Sequence, residues 1–237
     1  FTEVELISIN KSKMNVITSI KEMQQYSEKM RLSGHRIGVV PTMGYLHTGH
    51  LSLISLAKQN ADIVITTVFV NPAQFSPEED FEKYPRDVNR DVAMSESAGS
   101  DVVFTPSVNE MYNHNYLTYI NVENISSLLE GQFRQTHFRG VATVVAKLFN
   151  ITKPHVAVFG QKDAQQAIVI KKIVKNLNYD IEIIVAPIVR EANGLAMSSR
   201  NVYINNGEKA EAAVLYKLLM LAEGLVGEGE NSVEVLR

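Results

Sequence analysis

Short apolar runs rich in β-branched residues alternate along this chain with segments whose apolar residues recur every three or four positions. The runs lie at residues 37–40, 62–70, 101–104, 155–159 and 181–185. Parallel strands need a long crossover connection, and a helix usually supplies it. The alternation therefore predicts an α/β protein with a Rossmann-like, doubly wound parallel sheet.

The two ends of the chain lie outside this alternation. Residues 11–33 carry methionines and isoleucines at a spacing that predicts one amphipathic helix. Composition changes near residue 190, and a further helix is predicted over 208–225. We therefore expect a large domain, 1–188, and the incomplete start of a smaller α+β domain, 189–237. This smaller domain and the acidic loop 76–84 are candidate lids.

Composition argues against several classes of function. The chain has 237 residues, of which 45% are hydrophobic and 21% charged, and its formal net charge is -3. Such a charge gives no basic field, so we expect no nucleic-acid partner. No apolar run approaches the ~18 residues of a membrane span, so we expect no membrane partner. The chain has no cysteine, which excludes thiolate chemistry and fits a reducing, cytoplasmic location.

The strongest candidate for a binding site is the turn 41–50, which reads PTMGYLHTGH. It joins a predicted strand to a predicted helix, and Gly44 and Gly49 let backbone approach a ligand closely. The free N–H groups of a first helical turn favour anions, so we expect phosphate there, with His47 and His50 as donors. Two alternatives stay open: a metal site on the His-x-x-His spacing, for which no third ligand is evident nearby, and an ordinary strand–glycine–helix turn.

Three further polar clusters follow predicted strands and would share one edge of a parallel sheet with this turn. They are Gln74, the pair Lys162 and Asp163, and the run Ser198-Ser199-Arg200. Lysine, serine and arginine are donors suited to phosphate, whereas glutamine suits hydroxyl and carboxylate groups. Each cluster also has an ordinary interpretation: a solvated lysine, a helix N-cap at Asp163, a surface turn and a loop glutamine.

Two more polar residues are candidates with equally plain alternatives. Gln166 lies one helical turn after Lys162, so both side chains can face one ligand, unless Gln166 is simply a polar residue on a helix surface. Asp91 is a candidate ligand for a magnesium ion bound with nucleotide phosphates. The alternative for Asp91 is a solvated helix face.

Six segments together resemble one family, the pantoate–β-alanine ligases (pantothenate synthetases) of the HIGH-motif nucleotidyltransferase superfamily. The segments are PTMGYLHTGH at 41–50, FVNPAQF at 69–75, YPR at 84–86, HFRGVATVV at 137–145, FGQKDAQQ at 159–166 and MSSRN at 197–201. They follow the family's order. Each segment alone is weak, but the set is highly specific.

The resemblance implies ATP-dependent condensation of pantoate with β-alanine to pantothenate, AMP and pyrophosphate through a pantoyl adenylate. It also implies ATP as substrate, accompanying Mg2+, and a homodimer. The positions that match the family's ATP-binding residues are Met43, Gly44, Tyr45, Leu46, His47, Thr48, Gly49, His50, Gly160, Gln161, Lys162, Asp163, Val189, Met197, Ser198, Ser199 and Arg200. The candidate catalytic residues are His50, His47, Lys162 and Arg200. Gln74 and Gln166 match the pantoate-binding glutamines, which places nucleotide and pantoate in the domain 1–188.

Two other functions stay open. One is a nucleotidyltransferase of the same superfamily that transfers AMP onto a nucleotide, although Gln74 and Gln166 favour a small polyol acid over a second phosphate. The other is a non-catalytic nucleotide-binding homologue, against which the intact histidine pair and the intact Ser-Ser-Arg run argue.

Overall fold

The strands of the protein form one parallel sheet. The computed structural model describes residues 14–236. In this range the strands are β1 (Asn15–Ile17), β2 (Ile37–Thr42), β3 (Ile63–Val68), β4 (Val102–Phe104), β5 (Val156–Gly160) and β6 (Glu182–Ala186). They are ordered β1-β4-β3-β2-β5-β6, and every neighbouring pair is parallel.

Helices cover both faces of this sheet. They are α1 (Ile20–Leu32), α2 (Thr48–Asn60), α3 (Val88–Ser97), α4 (Val108–Met111), α5 (Glu130–Phe133), α6 (His137–Thr152), α7 (Ala164–Asn176), α8 (Asn206–Ala212), α9 (Val214–Gly227) and α10 (Val233–Leu236). α1 packs against α6 on one face, whereas α2 packs against β2, β5 and α3. The predicted doubly wound α/β fold is confirmed.

The core explains why the strands are apolar on both faces. Val39 of β2 joins a buried cluster with Val145 of α6. The next residue, Val40, points the other way and joins a second cluster with Ile54 of α2. Successive side chains of a strand point to opposite faces of the sheet. A strand that is covered by helices on both faces is therefore apolar at successive positions.

The prediction of one helix over 11–33 is wrong for residues 15–17. They form β1 at the sheet edge, where Ile17 pairs with Phe104. α1 begins only after Ser19, whose hydroxyl accepts a hydrogen bond from the N–H of Glu22 (3.2 Å). The helical spacing of apolar residues continues on both sides of Ser19, so the spacing alone does not reveal where the helix begins. Residues 11–13 lie outside the described residues.

The segment that follows β6 is helical but not one helix. The predicted helix 208–225 is divided at Ala213 into α8 and α9. Leu215, Leu218 and Leu219 of α9 are more than half exposed. The same segment also contains an antiparallel β-bridge between Arg190 and Ala196. Across residues 14–236 we find no helix with the length and apolar character that crossing a bilayer requires. The domain division at residue 188 stays a prediction.

The strand order fixes where a ligand can bind. The chain runs outward from β2 through β3 to β4 and then crosses back to β5 on the other side of β2, so the direction of winding reverses between β2 and β5. In open parallel sheets a crevice forms outside the carboxyl ends of the strands at such a reversal. The turn after β2 holds His47 and His50, and the turn after β5 holds Lys162.

Candidate active site

A cleft of about 420 Å³ opens at this reversal. Fourteen of the residues predicted from sequence line it: Met43, His47, Gly49, His50, Gln74, Gly160, Lys162, Asp163, Gln166, Val189, Met197, Ser198, Ser199 and Arg200. They come from turns separated by more than a hundred residues of chain. The predicted convergence of the four polar clusters on one edge of the sheet is therefore present.

His47 and His50 form the start of α2. His47 is the N-cap residue, and its Nδ1 accepts a hydrogen bond from the N–H of Gly49 (3.1 Å). Nδ1 of His50 accepts from the N–H of His47 (3.3 Å), and the two ring centroids are 4.0 Å apart. Because each Nδ1 accepts a backbone proton, the ring proton of each neutral imidazole is on Nε2.

Both imidazoles are neutral at neutral pH. Burial, followed by the nearby charge of Lys162, lowers the pKa of His47 to about 4. Burial lowers the pKa of His50 to about 3, and His47 and Lys162 add to the effect. The pair therefore offers two Nε2–H donors and no positive charge of its own. Among residues 14–236 no group of three or more His, Cys, Asp or Glu side chains could hold a metal, so the metal interpretation of this pair loses its support.

Asp91 supports the turn rather than lining the cleft. Its side chain is buried, and its two oxygens accept hydrogen bonds from the N–H groups of Tyr45 (2.8 Å) and Leu46 (2.7 Å). A Cβ at Gly44, where φ is +83°, would lie 2.8 Å from the same carboxylate. In the structure both oxygens of Asp91 bond to backbone N–H groups, and its role as a magnesium ligand stays a prediction.

Five predicted ATP-binding residues do not border the cleft: Gly44, Tyr45, Leu46, Thr48 and Gln161. Tyr45 has a positive φ of 49°, and the guanidinium of Arg90 lies 4.9 Å from its ring centroid. Leu46 is fully buried in the core beneath α2. These two residues and Gly44 shape the turn that presents the histidines, which is a supporting role.

The two serines have different partners. Ser199 is buried, and its hydroxyl donates to the carbonyl oxygen of Tyr45 (3.1 Å), which ties the run to the histidine turn. The hydroxyl of Ser198 accepts from the N–H of Arg200 (3.2 Å), so its own proton stays free to donate. Both serines were expected to donate to phosphate. Of the two, only Ser198 has a hydroxyl proton that is free to do so.

Arg200 is held by an acidic residue of the loop 76–84. Its Nε and Nη2 atoms donate to the two carboxylate oxygens of Asp80, both at 2.8 Å. The guanidinium also lies 5.3 Å from the ring centroid of Tyr84. The hydrogen bond from Arg200 lowers the pKa of Asp80, so the pair is charged at neutral pH. Nη1 is the guanidinium nitrogen that this pairing leaves for a ligand.

Lys162 and Asp163 form an ion pair at the mouth of the cleft, with Nζ 3.0 Å from Oδ1. Asp163 occupies the N-cap position of α7, as predicted, but its carboxylate makes no capping hydrogen bond there. Gln166 lines the cleft on the same helix. Its neighbour Gln165 is structural, because its amide donates to the carbonyl oxygens of Ile125 (2.9 Å) and Leu128 (2.7 Å).

Gln74 lies on the opposite wall and is buried. Its Oε1 accepts a hydrogen bond from Nδ2 of Asn71 (3.1 Å), which orients the side-chain amide. Asn71 in turn accepts from the hydroxyl of Tyr112 (2.8 Å). This chain of side chains fixes the uncharged wall of the cleft.

Six polar residues that line the cleft were not assigned a role from sequence: Thr42, Asn71, Tyr84, Glu130, Arg134 and His137. Four of them, Thr42, Asn71, Tyr84 and His137, lie in the segments that carry the family resemblance, which was the available signal. Arg134 lies in an irregular stretch and carried no signal of its own. It is ion-paired with Glu79 and Glu130, so it joins the loop 76–84 to α5.

Comparison with known proteins identifies the family of the chain. The chain matches the profile of a family described as pantoate-beta-alanine ligase over residues 15–236. A pantothenate synthetase of Acetivibrio thermocellus is 55% identical over 224 residues, which are 94% of this chain and 80% of that protein. The chain belongs to the pantoate–β-alanine ligase family. This membership assigns it to the ligases of pantothenate biosynthesis, which are ATP-binding enzymes.

Solved structures of the family have the same fold. The structure of pantoate-beta-alanine ligase (pantothenate synthetase) from Thermus thermophilus has a TM-score of 0.90 and 43% identity, and the match covers 94% of this chain and 80% of that one. The enzyme of Francisella tularensis, complexed with beta-gamma ATP and beta-alanine, has a TM-score of 0.82 and 39% identity over 87% of this chain and 79% of that one. That enzyme is thus seen with a nucleotide and an amine substrate.

Proposed function

We propose that the chain condenses pantoate with β-alanine in two steps, with pantoyl adenylate as the free intermediate between them. In the first step a pantoate oxygen attacks the α-phosphorus of ATP, and pyrophosphate leaves. In the second step the amine of β-alanine attacks the acyl carbon, and AMP leaves. The observation that carries the proposal is the convergence of His47, His50, Lys162, Ser198 and Arg200 on one cleft.

The donors suit the first step because negative charge accumulates around the α-phosphorus in its transition state. Neutral imidazoles with Nε2–H donors stabilise that charge, as a preformed set of dipoles does. This differs from a role of His50 as an acid that delivers a proton, because its lowered pKa leaves no imidazolium to give one up at neutral pH. Lys162 supplies positive charge and Ser198 a hydroxyl donor.

The second wall of the cleft suits the acid. Gln74 and Gln166 are uncharged and can hydrogen-bond both the hydroxyl groups and the carboxylate of pantoate. In reactions of this kind, holding the carboxylate in line with the phosphorus lowers the activation free energy by several kcal/mol. The loop 76–84, tied to Arg134 and Arg200, lies where a lid would exclude water from the acyl adenylate.

The remaining expectations fit the same proposal. Asp163, which lines the cleft beside Lys162, would hold a Mg2+ ion that is bound to the phosphates of ATP. When bound, the ion would offset phosphate charge. A cytoplasmic location and a homodimer complete the proposal, the latter by analogy with the family alone.

The test is isotope exchange. Labelled pyrophosphate should enter ATP when pantoate is present and β-alanine is absent, because the first step is reversible and independent of the amine. Acids that lack the hydroxyl groups of pantoate are the matched control and should support far less exchange. Exchange that required β-alanine would exclude a free adenylate and overturn the two-step proposal.

A further inference from the structure

His137 is a third histidine of the cleft, and its hydrogen bonding is opposite to that of His47 and His50. It is the first residue of α6 and is buried, and it lines the wall next to Gln74. Its Nδ1 lies 3.0 Å from the backbone carbonyl oxygen of Gln74. A carbonyl oxygen only accepts hydrogen bonds, so Nδ1 carries the ring proton and Nε2 bears the lone pair.

The lone pair of His137 faces no protein group. Within residues 14–236 no side chain or backbone group hydrogen-bonds Nε2 of this ring, and the atom is not sealed from solvent. The ring is fixed by its surroundings: it packs edge-on against Phe138, with centroids 5.0 Å apart. A buried imidazole that lines a cleft and has an acceptor nitrogen bound to no protein group is suited to act as a base.

The reaction needs such a base in its second step only. The amine of β-alanine is an ammonium at neutral pH, as the similar amine of lysine is with a pKa of about 10.4, and it has no lone pair to attack with. His47 and His50 cannot accept its proton through Nε2, because there each already carries one.

We propose that Nε2 of His137 removes a proton from the ammonium of β-alanine and so generates the nucleophile for amide formation. This inference rests on the proposed two-step function. The ammonium gives one proton to Nε2, and the freed lone pair forms the C–N bond to the acyl carbon. The C–O bond to the adenylate breaks with its electron pair, which leaves on AMP. The second proton of the nitrogen is lost to water, and His137 then releases its own.

Charged groups near the ring suit it to this role. Burial lowers the pKa of His137 and outweighs the hydrogen bond to the carbonyl of Gln74, which raises it; Arg134 lowers it further, whereas Glu130 and Glu79 raise it. The imidazole is therefore unprotonated at neutral pH and ready to accept a proton. The two carboxylates, which also pair with Arg134, bring negative charge near the ring, and that charge favours a cationic amine there.

The decisive variant is His137→Asn, because an asparagine amide can keep the hydrogen bond to the carbonyl of Gln74 while it removes the base. We expect its pantoate-dependent pyrophosphate exchange to stay within about threefold of wild type. Amide formation with β-alanine should fall by about 100- to 10,000-fold, the range of general-base effects. Hydroxylamine, which is unprotonated at neutral pH, should still capture the adenylate at close to the wild-type rate. His114→Asn, at an exposed histidine outside the cleft, is the matched control and should change neither reaction.

The pH dependence gives a second test that needs no variant to fold. With a base, the wild-type rate of amide formation at saturating β-alanine should level off at neutral pH. Without one, it should keep rising tenfold per pH unit towards the pKa of the amine, about 10. A continuous rise in wild type would overturn the proposal. An equal loss of exchange and amide formation in His137→Asn would do so as well, since it would make the residue a support for Gln74 only. Failure of exchange in wild type would instead refute the two-step function.

Discussion

The protonation of each cleft histidine is decided by one backbone contact. His47 and His50 accept backbone N–H groups at Nδ1 and so present Nε2–H, whereas His137 donates to a carbonyl and presents a lone pair. Burial lowers the pKa of His50 to about 3, so its ring is neutral at neutral pH. Residues of one type thus take opposite chemical roles in a single cleft.

Removal of the His50 donor should slow the first step. We expect His50→Ala to lower pyrophosphate exchange by about 100- to 1,000-fold, because it removes a hydrogen bond that strengthens in the transition state. The measurement is the exchange rate at saturating ATP and pantoate, with His114→Ala as the control. Near wild-type exchange in His50→Ala would remove His50 from the adenylation machinery.

At the scale of elements, the cleft depends on how closely α6 approaches the turn 72–74. The backbone of Gly140 lies so near this turn that a Cβ there would be 2.2 Å from the carbonyl oxygen of Ala73. Nδ2 of Asn71 donates to the carbonyl oxygen of Gly140 (3.1 Å), which locks the same contact. This packing places His137 beside Gln74.

Gly140→Ala should therefore destabilise the protein although alanine is the better helix former. A clash with backbone cannot be relieved by a rotamer change, and we expect a loss of about 1–3 kcal/mol in the free energy of unfolding.

Gly224→Ala in exposed α9, where no atom lies within 4 Å of the new Cβ, is the matched control. It should stabilise by up to about 1 kcal/mol. Urea unfolding measures both, and an unchanged midpoint for Gly140→Ala would show that α6 can shift.

At the scale of the whole molecule, the segment after β6 is bonded to the loop 76–84 and to the turn after β2. Arg200 pairs with Asp80, the hydroxyl of Tyr203 donates to the carbonyl oxygen of Lys83 (3.1 Å), and Ser199 bonds to Tyr45. These contacts close one side of the cleft. Whether the segment forms a separate domain that moves as a lid stays a prediction.

Asp80→Ala should loosen this fastening. Surface ion pairs contribute up to about 1 kcal/mol, so we expect a two- to fivefold rise in the KM for ATP and faster amide hydrogen exchange over 198–203. The effect should be present at neutral pH and vanish as the pH falls through the lowered pKa of Asp80, because the wild-type pair is lost there too. Glu182→Ala removes a comparable pair with Arg36 on β6 and should leave both readouts unchanged. If amide hydrogen exchange over 198–203 were unchanged in Asp80→Ala, contacts other than the ion pair would be holding the segment.

The sequence alone determined the alternation of strands and helices, the fold class and the turns that carry the polar clusters. Helical periodicity, β-branched runs and glycine turns are properties of neighbouring residues, so they can be read locally. The family followed from motifs of the same local kind. The sequence also hid β1, because only pairing with β4, about 85 residues away, makes residues 15–17 a strand.

Tertiary structure alone decided the contacts between distant parts of the chain. It set the strand order that brings His50 and Lys162 to one reversal, and it placed the carboxylate of Asp91 against the N–H groups of Tyr45 and Leu46. It also paired Arg200 with Asp80 and left Nε2 of His137, a residue of the cleft wall, without a hydrogen-bond partner within residues 14–236. These contacts depend on which groups are buried and on the hydrogen bonds that each buried polar group needs. Neither condition is defined until the chain has folded.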